Sequence, residues 1–155
     1  MVKEVILHIG MHKTGSSSIQ VSLNGYDDGK IRYAHFDSPS HSVTINTIFA
    51  LDPSRVAEHR DAGYTEKEVD QLKAKYTAQL DAELKSPADK LIISGENIAL
   101  LPASAIEGLH KYLSDQSIKT TVIAYVRPPV GFASSAFQQR LKGQDPRAAN
   151  LSDPK

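Results

Sequence analysis
The residues whose types and spacing most plainly suit chemistry lie near the start of the chain: Gly10-Met11-His12-Lys13-Thr14-Gly15-Ser16-Ser17-Ser18. They come after the apolar run Val5-Ile6-Leu7-His8-Ile9 and precede Ile19. An apolar strand that turns at a glycine and enters a helix is an arrangement suited to an anion. The first helical N–H groups have no partner inside the helix, and the macrodipole favours negative charge there. Lys13 adds a full positive charge, and Ser16 and Ser17 add short hydroxyl donors. The dinucleotide pattern G-x-G-x-x-G fails here, because His12 stands where the second glycine belongs. The pattern G-x-x-x-x-G-K-[ST] is nearer, since Gly10 and Gly15 have its spacing, but Ser16 follows Gly15 and the lysine comes earlier. A lysine placed before the tight turn meets the anion from another side.

A second group lies late in the chain, in Tyr125-Val126-Arg127-Pro128-Pro129-Val130-Gly131-Phe132-Ala133-Ser134-Ser135. Arg127 ends an apolar run, and Ser135 falls eight residues later in a helical pattern. An arginine fork with a nearby hydroxyl suits a dianionic phosphate. Between the two groups, Gly95-Glu96-Asn97 comes after the apolar run Leu91-Ile92-Ile93, and Glu96 is a candidate general base. The rivals for that role come after an earlier strand: His35, Asp37 and His41. Glu96 read as a capping or ion-paired carboxylate stays open beside the catalytic reading. His8 alternates inside a buried strand and reads as a hydrogen-bonded core residue.

The elements that must position these groups can be read from the pattern. Strands are expected at residues 4–9, 30–36, 90–94 and 120–126. Helices are expected at 15–24, 43–51, within 54–60, from the capping box Thr65-Glu66-Lys67-Glu68 to about 84, after Pro102, and after Pro129 to about Lys142. Ile19, Val21 and Leu23 read as apolar positions of the first helix, and Gly143 as the cap of the last. Alternating strands and helices define an α/β fold, a parallel sheet with helices on both faces. Right-handed crossovers put every strand C-terminus on one edge, where ligands bind. The Lys13 loop, residues 35–37, Glu96 and Arg127 are therefore expected to converge.

Composition sets the bounds. The chain has 155 residues, enough for one domain with a core, with 40% hydrophobic and 23% charged residues. One domain over 1–143 and a polar tail over 144–155 are expected. Lys plus Arg and Asp plus Glu both number 18, so no nucleic-acid partner is expected. There is no cysteine, hence no disulfide frame and no thiolate chemistry. No apolar run approaches membrane-spanning length, and Met1-Val2-Lys3-Glu4 leads straight into a strand without a signal peptide pattern. A cytoplasmic location without membrane association is the expectation, and the oligomeric state is left open.

The form His12-Lys13-Thr14-Gly15-Ser16-Ser17 resembles the 5′-phosphosulfate loop of the P-loop-type sulfotransferases, whose donor is 3′-phosphoadenosine 5′-phosphosulfate (PAPS). Arg127, Pro128 and Ser135 are similar to that family's 3′-phosphate motif. The likeness runs from Val5 to about Lys142 and is specific at the two motifs only. It implies transfer of a sulfuryl group to a hydroxyl or amine of a small-molecule or carbohydrate acceptor, with PAP as product and no metal. It assigns catalytic roles to Lys13 and to Glu96, or to His35 in its place. It makes His12, Lys13, Thr14, Gly15, Ser16, Ser17, Arg127 and Ser135 the cofactor contacts. Ile98-Ala99-Leu100-Leu101-Pro102 is similar to the stretch after the family's catalytic histidine. Two departures stand out: serines replace the commoner threonines, and family members are usually much longer. A truncated, fragmentary or degenerate member is therefore expected. An ATP-dependent P-loop kinase and a non-catalytic nucleotide-binding fragment are the alternatives.

Overall fold
The computed structural model describes residues 1–142. Gly143 and the expected tail at 144–155 lie outside the described residues. Four strands, β1 (Glu4–His8), β2 (Ile31–Tyr33), β3 (Lys90–Ser94) and β4 (Lys119–Ile123), form one sheet in the order β2-β3-β1-β4. All three neighbouring pairs are parallel. The helices are α1 (Ser16–Leu23), α2 (Ser42–Phe49), α3 (Ala57–Asp61), α4 (Glu66–Leu84), α5 (Ala103–Ser114) and α6 (Pro129–Lys142). Pro53–Arg55 and Glu96–Leu100 are short 3-10 segments. The expected parallel α/β architecture is present.

Burial explains the sheet's position. β1 and β3 lie inside the sheet, and Val5, Leu91 and Ile93 are fully buried. They share one core with Ile45 and Ile48 of α2, Leu80 and Leu84 of α4, and Leu109 and Leu113 of α5. Those three helices therefore cover the same face. α4 starts as expected, with the Thr65 side chain accepting from the Glu68 N–H and the Glu68 carboxylate accepting from the Thr65 N–H.

The opposite face is polar where it meets α1. His8 and Ser94 are register partners on that face, and Gln20 Nε2 donates to the Ser94 hydroxyl at 3.3 Å. Ser16 and Gln20, four residues apart, are the buried positions of α1, whereas Val21 is 67% exposed. The apolar reading of Ile19, Val21 and Leu23 thus gives way to a polar one. A one-turn spacing puts both on the covered side of α1, where Gln20 meets Ser94 of the sheet and Ser16 packs on the Gly10 turn beside Thr14.

Other boundaries move modestly. β2 keeps three residues of the expected seven. β4 ends at Ile123, yet Ile9 N–H still donates to the Ile123 carbonyl and Met11 N–H to the Tyr125 carbonyl. The chain past β4 therefore runs beside the Lys13 loop without ladder regularity. Val122, Ile123, Val126, Val130, Phe137 and Leu141 are exposed on β4, the segment after it and α6. No described helix is long and apolar enough to cross a membrane.

Leu91 is the test of this core. Leu91→Ala removes a fully buried side chain from an inner strand and is expected to cost about 2–5 kcal/mol. Val21→Ala, on the exposed side of α1, should stay within about 0.5 kcal/mol. Urea denaturation of both variants checks the contrast; equal midpoints would contradict the burial pattern.

Candidate functional site
The β1 exit is built by tight backbone. Gly10 has φ +32°, and a Cβ there would lie 2.6 Å from Ser16 Oγ. Only glycine meets both conditions. Lys13 is itself left-handed at φ 68°, and Gly15 at φ 88° is the N-cap of α1. A left-handed lysine costs on the order of 1–3 kcal/mol and needs surroundings that hold it. Two contacts do so. Thr14 Oγ1 donates to the Met11 carbonyl at 2.5 Å, and Arg127 Nη1 donates to the Lys13 carbonyl at 2.7 Å. No side chain caps α1, so its first-turn N–H groups have no side-chain acceptor.

These groups face a cavity of about 430 Å³ lined by His12, Lys13, Gly15, Ser16, Ser17, Glu96, Arg127, Ser135 and Gln139. Two neighbouring clefts share Lys13. One is lined by Lys13, Ser135, Gln138, Gln139 and Lys142, the other by Lys13, Thr14, Gly15, Tyr125, Val126 and Arg127. Eight of the nine residues lining the central cavity are among the candidates named from the sequence. The ninth, Gln139, lies one helical turn beyond Ser135, and that i,i+4 spacing was the available signal. The donor set of one lysine, one arginine, three serine hydroxyls and a free helix start suits an anion with several oxygens.

Glu96 opens the 3-10 segment after β3. Its position depends on Gly95, where a Cβ would lie 2.7 Å from the Ser42 backbone nitrogen. The Gly95 N–H donates to the His8 carbonyl at 2.9 Å, which ties the β3 exit to the end of β1. Glu96 Oε1 then lies 3.4 Å from His12 Nδ1, with both side chains partly exposed. This pair escapes sequence reasoning, because its members stand 84 residues apart. It gives the cavity a carboxylate that a histidine can hold in place.

The rivals from the second strand are placed elsewhere. His35 is exposed and lines none of the three clefts around Lys13. β2 is separated from β1 by β3, so its exit is displaced along the sheet edge. Asp37 is bound to Lys75 at 2.5 Å and to Gln79 at 2.9 Å, which hold its carboxyl below the usual range. His41 is fully buried and packs against the Tyr33 and Phe36 rings at 4.5 and 4.8 Å. Its Nδ1 accepts from the Ser94 N–H at 3.0 Å. His8 is the core residue expected, sharing a 2.7 Å hydrogen bond with the Ser94 hydroxyl.

The chain matches no family model, no curated protein and no solved structure. The site is therefore read from its own geometry.

Burial pushes the His41 pKa down to about 4 from an ordinary value near 6.5. Between these two values the unfolded chain holds the extra proton, so stability rises with pH. The contribution is complete above about pH 6.5 and is lost as pH falls toward 4. His8 and His59, also lowered by burial, add in the same direction. Stability should drop by about 2 kcal/mol between pH 7 and pH 5 through His41 alone. The urea midpoint should fall over that range, and fall less in His41→Gln. An equal fall in both proteins would rule His41 out as the cause.

Proposed function
We propose that this chain is a sulfotransferase that moves a sulfuryl group from PAPS to a hydroxyl or amine, on an α/β scaffold of the P-loop nucleotide-binding type. The observation that carries the reading is the convergence of two distant motifs on one polar cavity. Lys13, Gly15, Ser16 and Ser17 reach it from the β1 exit, and Arg127 and Ser135 reach it from the β4 exit and α6. A nucleotide with phosphates at both the 5′ and 3′ positions needs two such anion grips. AMP and ATP carry no 3′-phosphate for the second.

The donor, when bound, supplies a sulfuryl group attached to a phosphate leaving group. The protein's part is electrostatic and positional. Ser16, Ser17 and the amides at the start of α1 hold the 5′-phosphate. The Lys13 ammonium balances charge on the bridging oxygen as the sulfur–oxygen bond breaks. The bond that forms joins sulfur to the acceptor oxygen or nitrogen, whose proton passes to Glu96. His12 holds the Glu96 carboxylate in the cavity wall. Since a sulfuryl group carries less charge than a terminal phosphoryl group, the reading requires no metal.

The Arg127–Lys13 contact adds a condition that the sequence alone did not suggest. The arginine that would grip the 3′-phosphate also supports the carbonyl of the catalytic lysine. The two grips are joined, so Arg127→Ala should weaken both PAP and AMP, and PAP more.

Calorimetry with PAP, AMP and magnesium-ATP tests the reading. A charge-assisted hydrogen bond contributes about 1.5–3 kcal/mol, so two partly redundant ones should favour PAP over AMP by roughly 100-fold. Lys13→Ala should remove turnover while the fold survives. Equal affinity for PAP and AMP, or tighter binding of magnesium-ATP than of PAP, would overturn the proposal.

The base is tested separately. Glu96→Gln should lower the rate by about 10²–10⁴-fold with PAP affinity nearly unchanged. His12→Asn should cost less, because it acts through Glu96. A crippled His35→Ala beside an active Glu96→Gln would move the base to the β2 exit.

A further inference from the structure
The polar cavity does not end at Ser135. A cleft of about 420 Å³, lined by Lys13, Ser135, Gln138, Gln139 and Lys142, adjoins it, and the two spaces share Lys13, Ser135 and Gln139. Four of the five lining residues of this cleft belong to α6. Ser135, Gln138, Gln139 and Lys142 stand at i, i+3, i+4 and i+7, which is one stripe along a helix. α6 thus carries a row of hydrogen-bonding groups away from the central cavity and ends the row on an ammonium. Side chains on a helix lean toward its N-terminus, so Lys142 covers the turn that carries Gln138 and Gln139. The rise from Ser135 to Lys142 is about 10 Å along the axis, and that lean shortens the gap.

Charge gives the stripe its meaning. In the central cavity Lys13 and Arg127 stand against Glu96, one cation more than carboxylate. A phosphate monoester brings about −1.5 to −2 charges, and a nucleotide with 5′- and 3′-phosphates brings two such groups. The central cavity alone is short of positive charge for that ligand. Arg127 is also partly committed elsewhere. Its Nη1 donates to the Lys13 carbonyl at 2.7 Å, and its Nε lies 3.2 Å from where a Cβ on Gly131 would stand, so the side chain folds back on the start of α6. The adjoining cleft has two cations, Lys13 and Lys142, and no carboxylate among the described residues that line it. Lys142 is the cation that this cleft adds.

We propose that Lys142, with Gln139, is a further 3′-phosphate contact that sets the choice of PAP over AMP. The proposal rests on the sulfotransferase reading for the ligand and on the α6 stripe for the residues. The Lys142 ammonium meets the phosphate as a point charge. The Gln139 amide donates to it one turn nearer the central cavity. Arg127 divides its fork between that phosphate and the Lys13 carbonyl, and Ser135 supplies the hydroxyl. Selectivity for the 3′-phosphate is then set along two turns of α6 and not at its start alone.

The test is calorimetry with PAP and AMP on the full chain and on three variants in the last turn of α6. Lys142→Gln removes the charge and Lys142→Arg keeps it. Arg140→Gln removes the same charge from the same turn, but Arg140 lines none of the three clefts around Lys13. Lys142→Gln should weaken PAP by roughly tenfold and AMP by less than about twofold. Lys142→Arg should keep PAP affinity within about threefold, since the charge is retained. Arg140→Gln should leave both nucleotides unchanged. A cation in this turn also complements the helix dipole, so the urea midpoint of each variant is measured beside the affinities. A purely structural role lowers the midpoint in Lys142→Gln and Arg140→Gln alike and leaves the PAP-to-AMP ratio where it was. That result, or an equal fall of PAP affinity in Arg140→Gln, would overturn the proposal. Equal binding of PAP and AMP by the unmutated chain would instead bring down the sulfotransferase reading itself. A PAP preference that survives in Lys142→Gln removes only the role of Lys142.

Discussion
The hydrogen bond from the Gly95 N–H to the His8 carbonyl, 2.9 Å long, is the joint on which the site depends. It extends the β1–β3 pairing by one step past the register pair His8–Ser94. Both strands therefore release their chains at the same place on the sheet edge. The chain leaving β1 becomes the Lys13 loop and the start of α1. The chain leaving β3 becomes Glu96. Had β3 stopped one residue earlier or later, the carboxylate would point to the other side of the pleat. Glycine at 95 is part of the same constraint, because the Ser42 backbone occupies the room a side chain would need. The start of α2 is thereby fixed against the end of β3, and Asn97 N–H donates to Ser42 Oγ at 3.2 Å.

A second joint connects β4 to this pair. Ile9 and Met11 donate to the carbonyls of Ile123 and Tyr125, and Arg127 reaches the Lys13 carbonyl. The strained backbone at Lys13 is thus held from the β4 side, while the carboxylate beside it is set from the β3 side. Strain at a functional loop persists only where the surroundings over-determine it. Here the surroundings are two strand exits more than 80 residues of chain away from Lys13. Local sequence at residues 10–18 specifies a tight, glycine-bounded turn into a helix, but long-range pairing gives the loop its shape.

That division explains what the sequence revealed. Continuous apolar runs mark β1 and β3 because both are inner strands: Val5, Leu7, Leu91 and Ile93 are buried on one face, and Ile6 and Ile92 are partly covered on the other. Strand–helix alternation then brings Lys13, Glu96, Arg127 and Ser135 to one edge by topology, without any knowledge of side-chain contact. What escaped the sequence involves polar groups that pair across the fold. His41 looks like a loop residue, yet it fills a gap between Tyr33 and Phe36 and receives a backbone N–H from β3. Gln20 looks like solvent-facing surface, yet it faces Ser94 while Val21 points outward. Periodicity reports apolar burial only, and α1 buries hydrogen-bonding groups. A second cavity, of about 410 Å³ between the end of α2, residues 51–58 and residues 97–102, was invisible for a related reason: its walls are helix ends and short segments without a periodic signature.

The 3-10 segment does more than carry Glu96. With three residues per turn it sends residues 96 and 97 to different sides and stacks 97 above 100. An α-helix from the same start would place 96 and 100 on one face, joining the carboxylate to the apolar wall. The observed segment keeps them apart: a polar cavity with the cations and hydroxyls, an apolar one with the leucines, and a single residue step between. Ile98, fully buried between these sides, anchors the segment to the core formed by β1, β3, α2 and α5. Glu96 lines only the polar cavity, and its backbone is held between Gly95 and the buried Ile98.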